Sequence, residues 1–265
     1  MAAHTTAQSG ERQPEMLSVH DAFGQRRIAV LRDTGTDTDK PGLLWLPGFN
    51  SVMTSSKASA LAAWAAKSGR TLTRFDYSGH GASEGAFTAG TIGQWLADAR
   101  AVLEKMTAGP QILVGSSMGG YVALLLSQAL PERLAGLVLI APAWNMTERL
   151  MWAEMPPDAR AALTRDGVWR RPSDYGDPYP ITSRLIQEGR THQIDIFKLP
   201  IACPLRILHG AKDADVPFDG SVALVRAQTG DARLIAVPDG DHRLARDKDI
   251  ALLIRVIEQL DEVPD

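Results

Sequence analysis

Eight short segments of strand character, separated by longer and mostly helical stretches, are the feature that most constrains the fold of this 265-residue chain. The first two, at 18–20 and 27–31, flank Phe23 and Gly24 and predict an opening hairpin. The other six are continuous apolar runs, which are typical of strands buried on both faces. They lie at 43–46, 72–75, 112–114, 137–140, 205–208 and 234–237. This order predicts an α/β fold with a mostly parallel eight-stranded sheet flanked by helices.

The segments between the strands have helical periodicity. From 91 to 106 the apolar residues fall on one stripe, and Thr91 with Gln94 predicts a capping box at the start of that helix. A second apolar stripe from 250 to 260 predicts a final helix, for which Asp247 is the expected N-cap.

The alternation is interrupted once, between Trp144 and Leu199, where no convincing strand pattern occurs and Trp, Met, Tyr and Pro are frequent. The spacing from 146 to 155 is near-helical, and 157–163 predicts another short helix. We therefore expect a helical cap, residues 144–199, inserted after the sixth strand. Residues 16–143 and 200–265 form the core in this prediction, and 1–15 form a disordered tail.

Composition and charge exclude several classes of function. A net charge of −3 and a pI of about 6.1 give no electrostatic basis for binding nucleic acid or an acidic membrane surface. The single cysteine, Cys203, predicts neither a disulfide nor a metal cluster. No segment is long and apolar enough to span a membrane, and the first fifteen residues resemble neither a signal nor a transit peptide. We expect a cytoplasmic protein.

The sequence Gly115-Ser116-Ser117-Met118-Gly119 carries the strongest chemical signal. It follows one apolar run directly and precedes an apolar helix, which is the strand–turn–helix context that gives the G-x-S-x-G pattern its meaning. Ser117 at the centre is the predicted nucleophile, and the helix that follows directs its first N–H groups at the site.

A serine nucleophile requires a histidine base and a carboxylate that orients it, in the chain order Ser, acid, His. Asp213 follows the run at 205–208 and is the predicted acid, with Asp215 as the alternative. His242 follows the last strand and is the predicted base, whereas His209 is expected to be structural.

Two backbone amides are expected to form the oxyanion hole. Met118 follows the nucleophile directly, and Phe49 follows Gly48 in the loop after the strand at 43–46. The apolar and flexible side chains of the cap suit an acyl chain, although they could equally be packing within the cap. The candidate substrate residues are Trp144, Met151, Trp152 and Met155. No metal site is predicted.

With these motifs in place, the chain resembles serine hydrolases of the α/β-hydrolase fold over its whole length after the N-terminal tail. More closely, it resembles the mitochondrial palmitoyl-protein thioesterases that are also described as acyl-glucuronide esterases. The resemblance rests on LPGFNS, RFDYSGHGAS, GPQILVGSSMGG, DGVWRRPSDY, LRILHGAKDADVP and GDHR, so it includes part of the cap. Pro47 stands where many members of the wider fold family carry histidine.

The resemblance implies hydrolysis of acyl thioesters and acyl esters, without a cofactor, by Ser117, Asp213 and His242. The expected partners are a small-molecule or acylated-protein substrate, and the expected assembly is a monomer or small homo-oligomer. Because a triad does not specify its reaction, a lactonase or C–C bond hydrolase is an alternative, and so is a non-catalytic binding protein that retains the fold.

Overall fold

A computed structural model describes residues 13–173 and 176–261 of the chain. Its main feature is an eight-stranded sheet with the order β1-β2-β4-β3-β5-β6-β9-β10. Strand β2 is antiparallel to β1 and to β4, and every other neighbouring pair in this sheet is parallel. The predicted α/β fold with a mostly parallel sheet is confirmed.

The sheet strands contain all eight predicted segments. They are β1 Glu15–Asp21, β2 Gly24–Asp33, β3 Gly42–Leu46, β4 Leu72–Phe75, β5 Gln111–Ser116, β6 Leu134–Ile140, β9 Leu205–Gly210 and β10 Ala232–Val237. The helices are α1 Ser56–Ser68, α2 Ile92–Met106, α3 Met118–Ala129, α4 Pro157–Asp166, α5 Ser183–Gly189, α6 Phe218–Arg226 and α7 Asp247–Glu258. Strand β1 begins at Glu15, so the last residue of the tail predicted at 1–15 belongs to a strand. Residues 1–12 of that tail lie outside the described part of the chain.

The central strands are buried on both faces, which explains their continuous apolar runs. Leu44 and Leu46 of β3 belong to a core that also contains α2, α3 and the cap. Leu43 and Trp45, which alternate with them, pack into a second core with α1 and α7. Helices therefore cover both sides of the sheet, and the second core places Trp45 next to α1.

The excursion between β6 and β9 is a cap, but it is not purely helical. It contains α4 and α5 as well as an antiparallel hairpin of β7 Val168–Ser173 and β8 Gly176–Thr182. The prediction of no strand in this region is wrong. The hairpin contains Pro172, Pro178 and Pro180, which a two-stranded ribbon tolerates because both of its strands are edges. The near-helical spacing before α4 corresponds to a π-helical segment, Thr147–Trp152.

The two predicted helix starts have different outcomes. Thr91 caps α2 by accepting a hydrogen bond from the amide of Gln94. At α7, however, Asp247 lies inside the first turn and Arg246 is the N-cap residue. The Asp249 carboxylate, three residues into the helix, accepts hydrogen bonds from the Arg246 amide and guanidinium, so it satisfies the amide of the N-cap residue rather than those of the first turn. In the described part of the chain, no helix is long and apolar enough to cross a bilayer.

Candidate active site

The turn between β5 and α3 holds Ser117 in a strained backbone conformation. Its φ of 54° and ψ of −115° lie where a residue with a side chain rarely stays. The flanking glycines permit the sharp turn because there is no room for side chains. A Cβ on Gly115 would lie 2.5 Å from the Gly119 carbonyl oxygen, and one on Gly119 would lie 2.0 Å from that of Leu46. Within this turn Ser117 is the residue with the strained φ, and it lines the cleft.

The three predicted triad side chains form one hydrogen-bonded chain. His242 Nε2 lies 3.1 Å from Ser117 Oγ, and His242 Nδ1 lies 2.8 Å from Asp213 Oδ2. A neutral imidazole that donates from Nδ1 to the carboxylate leaves Nε2 as an acceptor for the serine hydroxyl proton. The three residues come from loops after β5, β9 and β10, whose carboxyl ends meet at one edge of the sheet.

Asp213 is held by more donors than His242 alone. Its side chain is fully buried, and its Oδ1 accepts from the amides of Asp215 and Val216 at 2.9 and 2.8 Å. His209 Nε2 lies 3.1 Å from Asp213 Oδ2, and its Nδ1 lies 2.7 Å from a serine hydroxyl on α6. Burial acts to raise the pKa of Asp213, but the hydrogen bonds from His209 and His242 outweigh it and hold the pKa well below its usual range. His209 therefore bridges Asp213 and α6, which is consistent with the structural role suggested by its position at the end of a strand.

Asp215, the alternative acid, lies at the cleft but does not take the place of Asp213. One ligand atom each from Asp213, Asp215 and His242 lies within 4.8 Å of the others. Because the Asp213–His242 contact already uses one nitrogen and one oxygen, these residues do not present a free ligand set for a metal ion.

The loop after β3 brings Phe49 alongside the nucleophile turn. A Cβ on Gly48 would lie 3.3 Å from the Ser116 carbonyl oxygen and 3.5 Å from Ser117 Cβ, so the loop and the turn are in close contact. Among the described residues, the amides of Phe49 and Met118 make no hydrogen bond that would compete with a bound oxyanion. Both are therefore available to a developing negative charge beside Ser117.

Two buried side chains from the loop after β4 fix this oxyanion loop. The amide of Asn50 donates to His80 Nε2 at 3.2 Å, and the amide of Met53 donates to Asp76 Oδ1 at 2.6 Å. His80 Nδ1 lies 3.3 Å from the Ser78 carbonyl oxygen, so the ring is neutral with its proton on Nδ1. Burial lowers the pKa of His80 to about 4, which keeps the ring neutral near pH 7.

A cleft of about 590 Å³ opens over Ser117 and His242. The volume is within the range of small-molecule sites. The cap contributes an apolar section of its wall, and the hairpin adds Tyr179, whose ring centroid lies 5.5 Å from that of Phe49. The apolar cap residues in the wall are Met146, Leu150, Met151 and Pro172, and Ala143 lines it just before the cap begins.

Of the four candidate substrate residues, only Met151 lies in the wall of this cleft. Trp144 is buried, its indole N–H lies 3.3 Å from the Gly220 carbonyl oxygen, and Arg149 stacks on its ring. Met155 is buried within the cap core. Trp152 lines a separate cavity of about 380 Å³ inside the cap and stacks against two arginines. The three residues not brought to the cleft pack within the cap or against α6, and Met146 and Leu150 line the cleft beside Met151.

The cleft also has a polar wall that the sequence did not single out. Lys57 from the first turn of α1, Arg171 from the hairpin and Arg243 beside His242 bring cationic side chains to it, and Asp177 and Asp215 bring carboxylates. The lysine carried no motif signal, because its position against the cleft depends on how α1 packs on the sheet.

Comparisons with known proteins agree with this geometry. A family model described as "Serine aminopeptidase, S33" matches residues 41–171. Human mitochondrial palmitoyl-protein thioesterase ABHD10 is 34% identical over 223 residues, which are 83% of this chain and 72% of the human protein. This chain belongs to the same family of α/β hydrolases. The resemblance found in the sequence motifs is confirmed, and the protein is a hydrolase.

Two solved structures have the same fold. Mouse alpha/beta hydrolase domain-containing protein 10 superimposes with a TM-score of 0.82 at 32% identity and covers 94% of this chain and 98% of the mouse chain. A putative hydrolase from Agrobacterium vitis S4 superimposes with a TM-score of 0.88 at 38% identity, with coverage of 94% and 98%. Because the ABHD10 relatives are named mitochondrial, the cytoplasmic location of this chain stays a prediction.

Proposed function

We propose that this chain is a serine hydrolase that cleaves acyl thioesters and carboxylic esters through an acyl-enzyme on Ser117. The observation that carries the proposal is the hydrogen-bonded chain from Asp213 through His242 to Ser117, with the serine raised on a strained turn at the cleft. A serine hydroxyl next to a neutral imidazole that is oriented by a buried carboxylate is the arrangement that acyl transfer requires.

The first half-reaction begins with attack of Ser117 Oγ on the substrate carbonyl carbon. As the C–O bond forms, His242 Nε2 accepts the hydroxyl proton, and the Asp213 carboxylate stabilises the imidazolium. Collapse of the tetrahedral intermediate breaks the bond to the leaving sulfur or oxygen, and His242 returns the proton to that atom. In the second half-reaction His242 deprotonates water, which attacks the acyl carbon. Collapse of this intermediate breaks the bond to Ser117 Oγ, His242 returns the proton to that oxygen, and the carboxylic acid is released.

The negative charge of each tetrahedral intermediate falls on the former carbonyl oxygen. The amides of Phe49 and Met118, together with the N-terminus of α3, are placed to stabilise it. The His80 and Asp76 contacts hold the Phe49 amide in position before substrate arrives, so little reorganisation is needed in the reaction.

The acyl group is assigned to the apolar part of the cleft. Met146, Leu150 and Met151 are adaptable side chains that suit acyl chains of varied shape. The proposal of thioester substrates is further supported by the names of the family members, several of which are palmitoyl-protein thioesterases.

The proposal is tested with purified protein and a panel of acyl thioesters, carboxylic esters and lactones, together with labelling by a fluorophosphonate probe. Ser117→Ala should lose labelling and about 10⁴–10⁶-fold in turnover while its thermal unfolding stays unchanged. Ser116→Ala is the matched control, because Ser116 is the neighbouring serine and lies outside the hydrogen-bonded chain. Retained activity in Ser117→Ala, or its loss only in Ser116→Ala, would contradict the assignment.

A further inference from the structure

The ring of Phe49, whose amide is an expected donor of the oxyanion hole, is surrounded by four other aromatic rings. Their centroids lie between 5.0 and 6.5 Å from that of Phe49 and belong to Phe87, Tyr179, Trp95 and His80. The ring planes are inclined to that of Phe49 by 56° to 73°, which is close to the edge-to-face arrangement that aromatic pairs prefer. We call these five residues the aromatic cluster. It surrounds the side chain of a residue whose backbone lies alongside the nucleophile turn.

Three of the rings around Phe49 belong to the core and are held there by other contacts. Trp95 of α2 is fully buried, and its indole N–H donates to the Ser78 carbonyl oxygen at 3.1 Å. His80 is buried with both ring nitrogens hydrogen-bonded, and its ring packs on the aromatic residue that begins the 3₁₀ turn Phe87–Ala89. Tyr179 differs because it lies on β8 of the cap hairpin, which packs against that turn. Within the aromatic cluster, the cap therefore contributes only Tyr179.

The backbone at Phe49 leaves its amide direction dependent on this packing. The Ser51 amide donates to the Gly48 carbonyl oxygen at 3.2 Å, which makes a β-turn with Phe49 second and Asn50, at a φ of 55°, third. The hydrogen bond from Asn50 to His80 acts on the residue after Phe49. The Phe49 amide itself has no acceptor among the described residues. Its direction is therefore set by the turn and by the rings that hold its side chain.

We propose that Tyr179 is a positioning residue, which packs the cap hairpin against Phe49 and thereby holds the Phe49 amide where the oxyanion forms. This role rests on the proposed function, which assigns that amide to the oxyanion hole. A preorganised donor stabilises the developing charge only when it already points at the oxyanion. Removal of the Tyr179 ring opens one side of the Phe49 side chain, so the amide gains freedom to turn away. The rate of acyl transfer then depends on the cap even for a substrate whose acyl group is too short to fill the apolar wall.

The ring of Tyr179, and not its hydroxyl group, carries this role. Tyr179 lines the cleft together with Arg171 and Asp215. Burial raises the pKa of Tyr179, the charge of Arg171 acts in the opposite direction, and that of Asp215 raises the pKa further. The phenol is therefore neutral near pH 7, and its titration does not contribute to a pH profile in that range. Tyr179→Phe retains the ring contact with Phe49 and removes only the hydroxyl group, so it separates the two parts of the side chain.

The test uses phenyl acetate, whose acetyl group has little apolar surface to place against the cap. Tyr179→Ala should lower kcat about fivefold with little change in KM, because an aromatic contact that positions a transition-state donor is lost. Tyr179→Leu, which keeps apolar bulk in the hairpin, should act in the same direction, and Tyr179→Phe should retain the wild-type kcat. Phe197→Ala is the control, since it removes a cap ring that is 78% exposed, and it should leave kcat unaltered.

A trifluoromethyl ketone measures the oxyanion hole without turnover. Ser117 Oγ adds to its carbonyl carbon, His242 takes the proton, and the former carbonyl oxygen becomes an oxyanion. Its inhibition constant should rise about fivefold in Tyr179→Ala and stay unaltered in Tyr179→Phe. Phe49→Ala removes the ring on which Tyr179 packs. If Tyr179 acts through that ring, adding Tyr179→Ala to Phe49→Ala should change kcat less than about twofold, because the two residues share one interaction.

Amide hydrogen exchange at Asn50 reports the position of the loop independently of catalysis, and it should be faster in Tyr179→Ala than in the wild type and Tyr179→Phe. Unaltered exchange and unaltered ketone binding in Tyr179→Ala would overturn the positioning role while leaving the proposed hydrolase intact. Equal losses of kcat in Tyr179→Phe and Tyr179→Ala would also overturn it, since the hydroxyl group would then be responsible. Exchange that depends on the Tyr179 ring, in a protein that hydrolyses no ester, would support the positioning of the loop and refute the proposed function.

Discussion

Replacing His80 with glutamine is expected to reduce the loss of stability that the protein suffers on acidification between about pH 6.5 and pH 4. The imidazole is 5% exposed and bridges the Ser78 carbonyl oxygen and the Asn50 amide. Protonation would place a second N–H against the Asn50 amide and bury a charge. Burial is the reason why the pKa of His80 falls to about 4 in the folded protein, against the opposing effect of the hydrogen bond to the Ser78 carbonyl oxygen.

The sign and size of the effect follow from this pKa. A histidine in the unfolded chain titrates near 6.5, so between pH 6.5 and 4 the unfolded state binds a proton that the folded state refuses. The free energy of unfolding is therefore greatest above pH 6.5 and falls as the pH is lowered. The window spans about 2.5 pH units at about 1.4 kcal/mol each, so the total is about 3.5 kcal/mol, of which about 2 kcal/mol is lost between pH 7 and pH 5.

Urea unfolding at several pH values measures this directly. His80→Gln keeps one donor and one acceptor but does not titrate, so its free energy of unfolding should fall by about 2 kcal/mol less than that of the wild type between pH 7 and pH 5. Burial raises the pKa of the neighbouring carboxyls Asp76 and Asp98, which acts in the opposite direction, but both are present in the two proteins and cancel in the difference. Parallel pH profiles for wild type and variant would refute the argument.

Two further predictions concern the cap and the nucleophile turn. Met151→Ala should change the ratio of kcat/KM for long and short acyl thioesters several-fold, since each buried CH₂ contributes about 0.8 kcal/mol. Trp152→Ala is the control, because Trp152 lies outside the cleft, and it should leave that ratio unaltered. Equal effects of the two variants would contradict the assignment of the acyl chain to the apolar cap residues. Gly119→Ala should lower the free energy of unfolding by about 3 kcal/mol or prevent folding, because its Cβ would lie 2.0 Å from the Leu46 carbonyl oxygen. Gly230→Ala is the control for thermal unfolding, with its nearest contact at 3.6 Å, and similar melting temperatures for the two variants would show that the turn relaxes.

The sheet could be predicted from the sequence because its strands are buried on both faces and their apolar runs are uninterrupted. The juxtaposition of Ser117, Asp213 and His242 could be predicted for a topological reason. The three residues follow β5, β9 and β10, which together with β6 form one side of the sheet, and parallel strands bring the loops after them to one edge. Each position was therefore fixed by a local pattern combined with a rule of strand order.

The cap could not be predicted in the same way. Its hairpin strands contain prolines and charged residues and lack the alternation that identifies a strand. Such a sequence is tolerated because neither strand has a neighbouring strand on both sides. Which apolar side chain of a cap faces a cleft also depends on packing. Trp144 and Met151 are both buried and apolar, yet the first hydrogen-bonds to α6 and the second lines the cleft. Composition alone does not separate these two outcomes.

Two separate parts of the chain supply the residues of the cleft wall. Trp45, Lys57 and Arg243 of the cleft wall belong to β3, α1 and the loop after β10, which are parts of the core. Those assigned to the acyl group belong to the insertion between β6 and β9. Acyl preference should therefore respond to Met151→Ala while the hydrogen-bonded chain of Ser117, His242 and Asp213 stays intact.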